Sequence, residues 1–163
     1  MTVWIDADAA PAEVKDVVFR AGKRLALVVV VVANRRVEIP AAYPGVRTLV
    51  VAGRPDEADR AIVERASPGD LAITADVPLA AQLVARGIAV IDQRGEEFTD
   101  EDVGGRLETR NRLEELRGAG VRTRGPRPYD EKDKRGFAQT FDRVVTRLLR
   151  AAARRPPGGP GSR

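Results

Sequence analysis

Short runs of apolar residues alternate, over the first hundred residues, with longer segments whose apolar side chains recur every three or four positions. The short runs are typical of buried strands, and the longer segments of amphipathic helices. The predicted strands are Val3–Ile5, Leu27–Ala33, Arg47–Val51, Leu71–Thr74 and Ile88–Ile91. The predicted helices are Pro11–Arg24, Asp56–Ala66 and Pro78–Arg86. Because strands linked through helices pair in parallel, the pattern predicts a three-layer α/β/α sandwich with a mainly parallel sheet of about five strands.

The pattern changes near residue 101 to two long helical segments, Glu101–Arg117 and Glu131–Arg154. Residues 118–129 between them are rich in Gly, Pro and Arg and predict a mobile loop. Residues 155–163 are mostly Pro, Gly and Arg and predict a disordered tail. We therefore expect a single domain over residues 1–154, with a helical and basic C-terminal part.

The absence of both cysteine and histidine from the 163 residues restricts the chemistry of the chain. No thiolate nucleophile, disulfide, zinc finger, iron–sulfur cluster or imidazole base can form. An enzyme of this composition would work through carboxylates, hydroxyls or basic side chains, with an oxygen-preferring metal. The longest apolar run, Leu25–Ala33, is too short to cross a bilayer, and no export signal is found. We expect a cytoplasmic protein with no membrane partner.

Charge is distributed unevenly along the chain. Residues 1–105 carry 12 basic and 17 acidic side chains, whereas residues 106–163 carry 16 basic and 7 acidic ones. A basic segment favours a polyanionic partner, because arginine and lysine neutralise phosphates and release counterions. Arginine outnumbers lysine 24 to 4, however, and codon bias across a genome would produce the same excess. Charge alone therefore leaves nucleic-acid binding by the C-terminal half open.

Acidic residues follow several of the predicted strands at their carboxyl ends. Asp6 and Asp8 follow the first strand, Asp76 the fourth and Asp92 the fifth, and Asp59 lies on the apolar face of its helix. In a parallel sheet these ends meet at one edge, where ligands bind in open α/β folds. Carboxylates gathered there would repel one another unless they held Mg²⁺ or Mn²⁺. The predicted metal ligands are Asp6, Asp59, Asp76 and Asp92. The predicted catalytic residues are Asp6, Asp8, Asp59 and Asp76.

These acids also have structural interpretations. Asp8 and Asp76 precede predicted helices and could cap them, and Asp59 lies three residues after Asp56, the spacing of a capping box. Asp70, at the opposite end of its strand, is interpreted as part of a turn. The convergence of several acids on one edge favours a common site over separate structural roles.

A few further side chains indicate substrate binding. Thr74, two residues before Asp76, is placed to hydrogen-bond a phosphate or a water. Arg94 follows the last predicted strand and could bring a guanidinium to the acidic edge, although a simple turn also explains its Arg-Gly-Glu sequence. The residues predicted to contact substrate are Asn34, Thr74, Arg94, Arg122 and Arg124.

Seven segments match a known family in the right order along the chain. They are Trp4–Pro11, Val32–Asn34, Asp56–Glu64, Pro68–Ala80, Arg94–Glu96, Gly136–Ala138 and Asp142–Arg143. With them the sequence resembles the YaiI/YqxD family of uncharacterised bacterial proteins over residues 2–148. That family is similar to PIN-like domains, α/β/α nucleases whose carboxylates bind divalent metal. The resemblance implies such roles for Asp6, Asp59, and Thr74 with Asp76. The family motif usually has cysteine where this chain has Ala10, a change that leaves a carboxylate–metal mechanism intact.

Three functional hypotheses follow. The first is an Mg²⁺- or Mn²⁺-dependent phosphodiesterase that acts on RNA. The second is a non-catalytic module on the same fold that binds nucleic acid or assists assembly. The third is a haloacid-dehalogenase-like phosphatase with Asp6 as nucleophile and Asp8 as acid/base, which ranks lowest because the chain has no lysine between residues 24 and 131. The expected partner is a nucleic acid, RNA in the first instance, and a homodimer is left open.

Overall fold

The computed structural model describes residues 1–54 and 56–154 of the chain, so the predicted disordered tail lies outside the described residues. The described residues form six strands and five helices. The strands are β1 Thr2–Asp6, β2 Val28–Ala33, β3 Val46–Val50, β4 Leu71–Ile73, β5 Ala89–Ile91 and β6 Glu97–Phe98. The helices are α1 Ala12–Leu25, α2 Glu57–Arg65, α3 Val77–Ala85, α4 Asp100–Gly118 and α5 Glu131–Arg154.

The strands form one sheet in the order β3-β2-β1-β4-β5-β6. All neighbours pair in parallel except β5 and β6, which form an antiparallel hairpin. Parallel strands need crossovers, and α1, α2 and α3 supply them after β1, β3 and β4. The predicted α/β class with a mainly parallel sheet is confirmed.

Helices cover both faces of the sheet, and each face has its own apolar core. Alternate residues of β1 separate the two cores, because successive side chains of a strand point to opposite faces. Val3 and Ile5 pack with α1 and α5, whereas Trp4 packs with α2 and α3. Trp4 is 7% exposed and belongs to the core on this second face. The arrangement is the predicted three-layer sandwich.

The C-terminal helices differ in how much of their surface they bury. Helix α5 buries Phe137, Phe141, Val144 and Val145 against the sheet, as expected of an apolar stripe with helical spacing. Helix α4 packs against α3, but none of its residues is fully buried. Among the described residues, no helix is both long and apolar enough to cross a membrane.

The structure differs from the sequence-based prediction mainly after β5. The sheet has six strands instead of five, because Glu97 and Phe98 pair with the end of β5. Two residues are too few to show a hydrophobic period, so the sequence carries no signal for this strand. Residues 119–130 contain no helix or strand, and the hydroxyl of Tyr129 near their end donates to the carbonyl of Gln93 at 3.0 Å. The mobility of this segment stays a prediction.

Candidate functional site at the carboxyl edge of the sheet

The order of the strands places a crevice at the carboxyl ends of β1 and β4. The chain leaves β1 toward β2 on one side, and it reaches β4 on the other side only after β3. Open α/β sheets bind ligands at such a switch point, because the neighbouring connections diverge and leave a gap above the strand ends. Asp6 is the last residue of β1, and Thr74 follows directly after β4.

Asp6 and Thr74 form a buried hydrogen bond across this crevice. The hydroxyl of Thr74 donates to Asp6 Oδ2 at 3.1 Å, and the amide of Asp8 donates to Asp6 Oδ1 at 3.2 Å. Asp6 is only 7% exposed, and burial raises the pKa of its carboxyl above the usual value, against the two hydrogen bonds. The fold therefore holds the Asp6 carboxylate in a fixed orientation at some electrostatic cost.

Asp76 is fixed by the same short segment. Its amide donates to the Thr74 hydroxyl at 3.0 Å, and its Oδ1 accepts from the amide of Leu79 at 2.9 Å. The second bond makes Asp76 the N-cap of α3, which confirms the structural interpretation of this residue. The cap uses one carboxylate oxygen, and Asp76 is still close enough to Asp6 and Asp59 to raise the pKa of both.

Asp59 reaches the site from the first turn of α2. The pKa of its carboxyl is raised to about 6, first by burial and then by the negative charges of Asp76, Asp6, Asp56 and Asp8. These repulsions show that the four predicted catalytic acids share one electrostatic environment. Across residues 1–54 and 56–154, none of those four has a salt bridge to a basic side chain.

Two of the structural alternatives are wrong. No side-chain hydrogen bond caps α2, so Asp59 and Asp56 do not form a capping box. Helix α1 has Pro11 at its N-cap and also lacks a side-chain cap, so the exposed Asp8 does not serve it. Helix capping therefore does not explain why Asp59 or Asp8 is acidic.

Asp92 lies in the turn between β5 and β6, and its side chain is hydrogen-bonded within that turn. Its Oδ1 accepts from the amides of Arg94 and Glu96, at 2.8 and 2.9 Å. Burial raises its pKa, while the nearest charges acting on it belong to Glu96 and Arg106. The structure thus ties this predicted metal ligand to the β5–β6 hairpin. It does not join Asp92 to the acid group, defined as Asp6, Asp8, Asp59 and Asp76.

The residues predicted to contact substrate are dispersed. Arg94 points away from the acids, with Nη1 2.6 Å from the Asp133 carboxylate and Nη2 2.6 Å from the carbonyl of Arg127. Arg122 and Arg124 are exposed on the segment before α5. Asn34 is exposed just beyond β2, at the same sheet edge as Asp6. Of the five, only Thr74 touches the acid group directly.

The acids do not form a ready-made cage for a metal. In the part of the chain that the structure describes, no three acidic side chains are arranged so that together they could hold an ion. A multi-carboxylate calcium-type site therefore does not fit this geometry. A hydrated Mg²⁺ makes a smaller demand on the protein, because it keeps several waters and binds through one or two carboxylates. The candidate donors are the free oxygens of Asp76 and Asp59, beside the fixed Asp6.

The sequence does not reveal the partners of two carboxylates that shape the sheet edges, Asp70 and Asp133. Asp70 accepts from the amides of Thr2 and Ser67 and from Trp4 Nε1, so it ties the start of β1 to the turn before β4. Asp133 is buried and holds Arg94 and Arg127. Thr2, Trp4 and Arg94 lie 68, 66 and 39 positions from the carboxylates that they contact. Only the position of Asp133, four residues before the buried Phe137 on α5, could have indicated its burial.

The side chain of Ala10 points into the core shared by α1, α5 and the sheet, and it is 5% exposed. A residue at this position contributes packing, as a buried cysteine also does. The difference from the family motif therefore falls outside the acid group.

The structure defines an α/β protein whose topological switch point carries a group of carboxylates with no ion-pair partner among residues 1–54 and 56–154. The chain belongs to the family described as "Uncharacterized BCR, YaiI/YqxD family", whose model matches residues 4–147. It is 48% identical over 151 residues to a UPF0178 protein of Myxococcus xanthus, which covers 92% of this chain and 97% of the relative. A UPF0178 protein of Bordetella bronchiseptica is 45% identical over 161 residues, or 99% of each chain. No solved structure matches. The predicted family is confirmed, and the PIN-like relationship stays a prediction.

Proposed function

We propose that this protein hydrolyses phosphodiester bonds in RNA with the help of Mg²⁺ or Mn²⁺. The observation that carries the proposal is the group of four carboxylates at the switch point, whose negative charges raise the pKa of Asp6 and of Asp59. None of the four has an ion-pair partner among the described residues. Such a group destabilises the empty fold, and a bound cation removes that cost. Ligands of open α/β folds bind at this position.

The carboxylates have different environments and therefore different proposed roles. Asp59 and Asp76 hold the cation through their free oxygens, and the buried Asp6 adds fixed negative charge. Thr74 orients Asp6 through its hydroxyl and is a positioning residue. Asp8 is exposed, and its carboxylate is the one most open to accept a proton from the attacking water. The cation supplies positive charge for the phosphate and promotes ionisation of water.

The test is cleavage of a labelled single-stranded RNA with Mg²⁺, with Mn²⁺ and with a chelator. Asp6→Asn keeps the shape of the side chain but removes its charge, so we expect a rate at least ~100-fold lower. Asp142→Asn is the matched control, because Asp142 is an exposed aspartate on α5 with only a surface ion pair. It should retain activity within about twofold. Cleavage that survives Asp6→Asn, or that persists in chelator, would refute the proposal.

A second function is favoured by one observation, the commitment of Asp6 and Asp76 to hydrogen bonds within the fold. A site held together in this way could bind RNA without turning it over. Salt-dependent RNA binding with no cleavage in any divalent metal would support this binding module and exclude the hydrolase.

A further inference from the structure

A basic cavity lies beside the β5–β6 turn, away from the acid group. It has a volume of about 570 Å³ and opens between that turn and the first two turns of α5. Four cationic side chains line it, namely Arg94, Arg127, Lys132 and Arg135. Two carboxylates, Asp133 and Glu96, also line it, so the balance of charge is positive.

The two carboxylates are already engaged. Arg127 holds the buried Asp133 with two nitrogens, at 2.5 and 2.8 Å, and Arg94 holds it at 2.6 Å. Glu96 pairs at 3.0 Å with Arg106 on the neighbouring helix α4. Asp133 thus offsets one of the two guanidinium charges that it binds, and Asp130, at 3.2 Å from Arg127, offsets the other.

Lys132 and Arg135 are the free cations of the cavity. Within the stretches that the structure describes, neither side chain has an ion pair or a side-chain hydrogen bond. Both are one turn apart on the same side of α5, and the first turn of a helix adds the positive end of its dipole. An anion in the cavity would meet these two unneutralised donors.

The walls of the cavity are fixed before any ligand binds. The amide of Asp133 donates to the carboxylate of Asp130 at 2.9 Å, and the amide of Asp130 donates to that of Asp133 at 3.0 Å. This reciprocal pair, the arrangement of a capping box, fixes the start of α5. The turn is held against α5 where Gly95 meets the backbone of Gly136. A preorganised cavity loses little entropy when an anion binds.

The turn beside the cavity lies at the same sheet edge as the acid group. The β5–β6 turn follows the carboxyl end of β5, so it belongs to the same sheet edge as Asp6. Strand β5 is two strands from β1, which corresponds to roughly 10 Å across the sheet. One polynucleotide chain can span both sites, with its scissile phosphate at the acids and a neighbouring phosphate in the cavity.

We propose that this cavity binds a backbone phosphate of the RNA through Lys132 and Arg135, with Arg94 and Arg127 as its fixed wall. The inference rests on the proposed function for the identity of the ligand. It differs from the substrate residues expected from the sequence, because Arg94 contributes as a held wall residue, and the free donors come from α5.

The experiment measures binding of a fluorescent single-stranded RNA of about twelve nucleotides by anisotropy, in chelator and at several salt concentrations. Lys132→Ala/Arg135→Ala is compared with Arg150→Ala/Arg154→Ala, which removes two exposed basic charges from the far end of the same helix. The cavity variant should lose roughly 10- to 30-fold in affinity at 0.1 M salt, and the slope of log K against log salt should fall by about 1.4. The control should stay within about twofold of wild type.

Equal losses in both variants would show a diffuse field and overturn the proposed site, as would no loss in either. Competition with inorganic phosphate, compared with chloride at equal ionic strength, tests whether the cavity prefers phosphate to other anions. Competition by chloride alone to the same extent would also contradict a phosphate site. Binding that depends on Lys132 and Arg135, with no cleavage in any metal, would leave this site standing and refute only the hydrolase. RNA cleavage at the wild-type rate in the cavity variant would leave the hydrolase standing and refute the cavity as a phosphate site.

Discussion

Neighbouring aspartates of this protein differ because each has a different set of hydrogen bonds. Asp6 is buried and accepts two hydrogen bonds, and Asp76 caps a helix. Asp59 has no such partner among the described residues, so burial and repulsion act on it without compensation, and its pKa is raised to about 6. The sequence places all three at one edge, but it does not reveal which of them carries the electrostatic cost.

Replacement of Asp59 should therefore stabilise the protein at neutral pH. Its folded pKa is above its unfolded value near 4, so its contribution to stability is present below pH ~4 and is lost as pH rises through about 6. With allowance for solvent screening of a half-buried group, Asp59→Asn should gain on the order of 1 kcal/mol at pH 7.5 and little at pH 4. Urea unfolding at both pH values measures this gain, and an equal gain at both would contradict the explanation.

If Asp59 is a metal ligand, Mn²⁺ should make wild type more stable than Asp59→Asn at neutral pH. A cation that binds only the folded state raises its stability, so the melting temperature of wild type should rise with Mn²⁺. Asp59→Asn should respond much less, and Asp142→Asn should respond as wild type does. An equal rise in all three proteins would place the ion elsewhere.

The sequence predicts Asp70 to be a turn residue, and the structure gives it a larger role. It accepts hydrogen bonds from two amides and an indole, at 2.7, 3.1 and 3.1 Å. Asp70→Ala leaves those donors without their acceptor and should cost about 2–3 kcal/mol of unfolding free energy. Asp70→Asn keeps one acceptor oxygen and should cost roughly half as much. Denaturant midpoints test the order wild type, Asn, Ala, and an alanine variant as stable as wild type would contradict it.

The elements that the sequence predicts well are those with long patterns. The buried valines of β2 and the helical spacing of α5 leave little ambiguity, and both were predicted to within about one residue. Strand β6 was missed because a pair of residues has no period. The hairpin that it forms depends on contacts between Gly95 and Gly136, which are 41 positions apart in the sequence. Contacts of this kind have no local pattern, so Arg94 was assigned to substrate and not to its partner Asp133.

The hairpin gives a sharp test of that packing. A Cβ at Gly95 would clash with the carbonyl oxygen of Gly136 and lie 2.8 Å from the backbone nitrogen of Phe137, and the φ of Gly95 is +87°. Gly95→Ala should therefore cost at least ~2–3 kcal/mol, because both strain and a backbone clash act. Gly87→Ala is the matched control, since its φ is +75° with nothing within 4 Å, and it should cost only about 1 kcal/mol. Similar midpoints for the two variants in denaturant would show that the close approach is unimportant.

Over the whole molecule, positive charge is concentrated in a smaller part of the chain than the sequence halves suggest. Helix α4 carries six acidic and four basic residues, whereas residues 119–154 carry ten basic and four acidic ones. The basic charge therefore belongs to α5 and the segment before it, beside the β5–β6 turn. The start of α5 lies beside the β5–β6 turn, so the first part of this basic segment shares the carboxyl edge of the sheet with the acids, as a site for a polyanion and a cation requires.

That arrangement predicts where ligands will slow hydrogen exchange. Mn²⁺ with a hydrolysis-resistant phosphorothioate RNA should protect the three connections at the carboxyl edge, residues 6–11, 74–77 and 92–96. Their amides include those that donate to Asp6 and Asp92, which ligand binding would steady. The opposite edge, residues 43–46 and 67–70, should exchange as in the free protein. Exchange followed by mass spectrometry separates the outcomes. Protection of only residues 6–11 and 74–77 would support ligand binding at the acids and contradict phosphate binding in the cavity. Protection at the opposite edge would contradict both proposals.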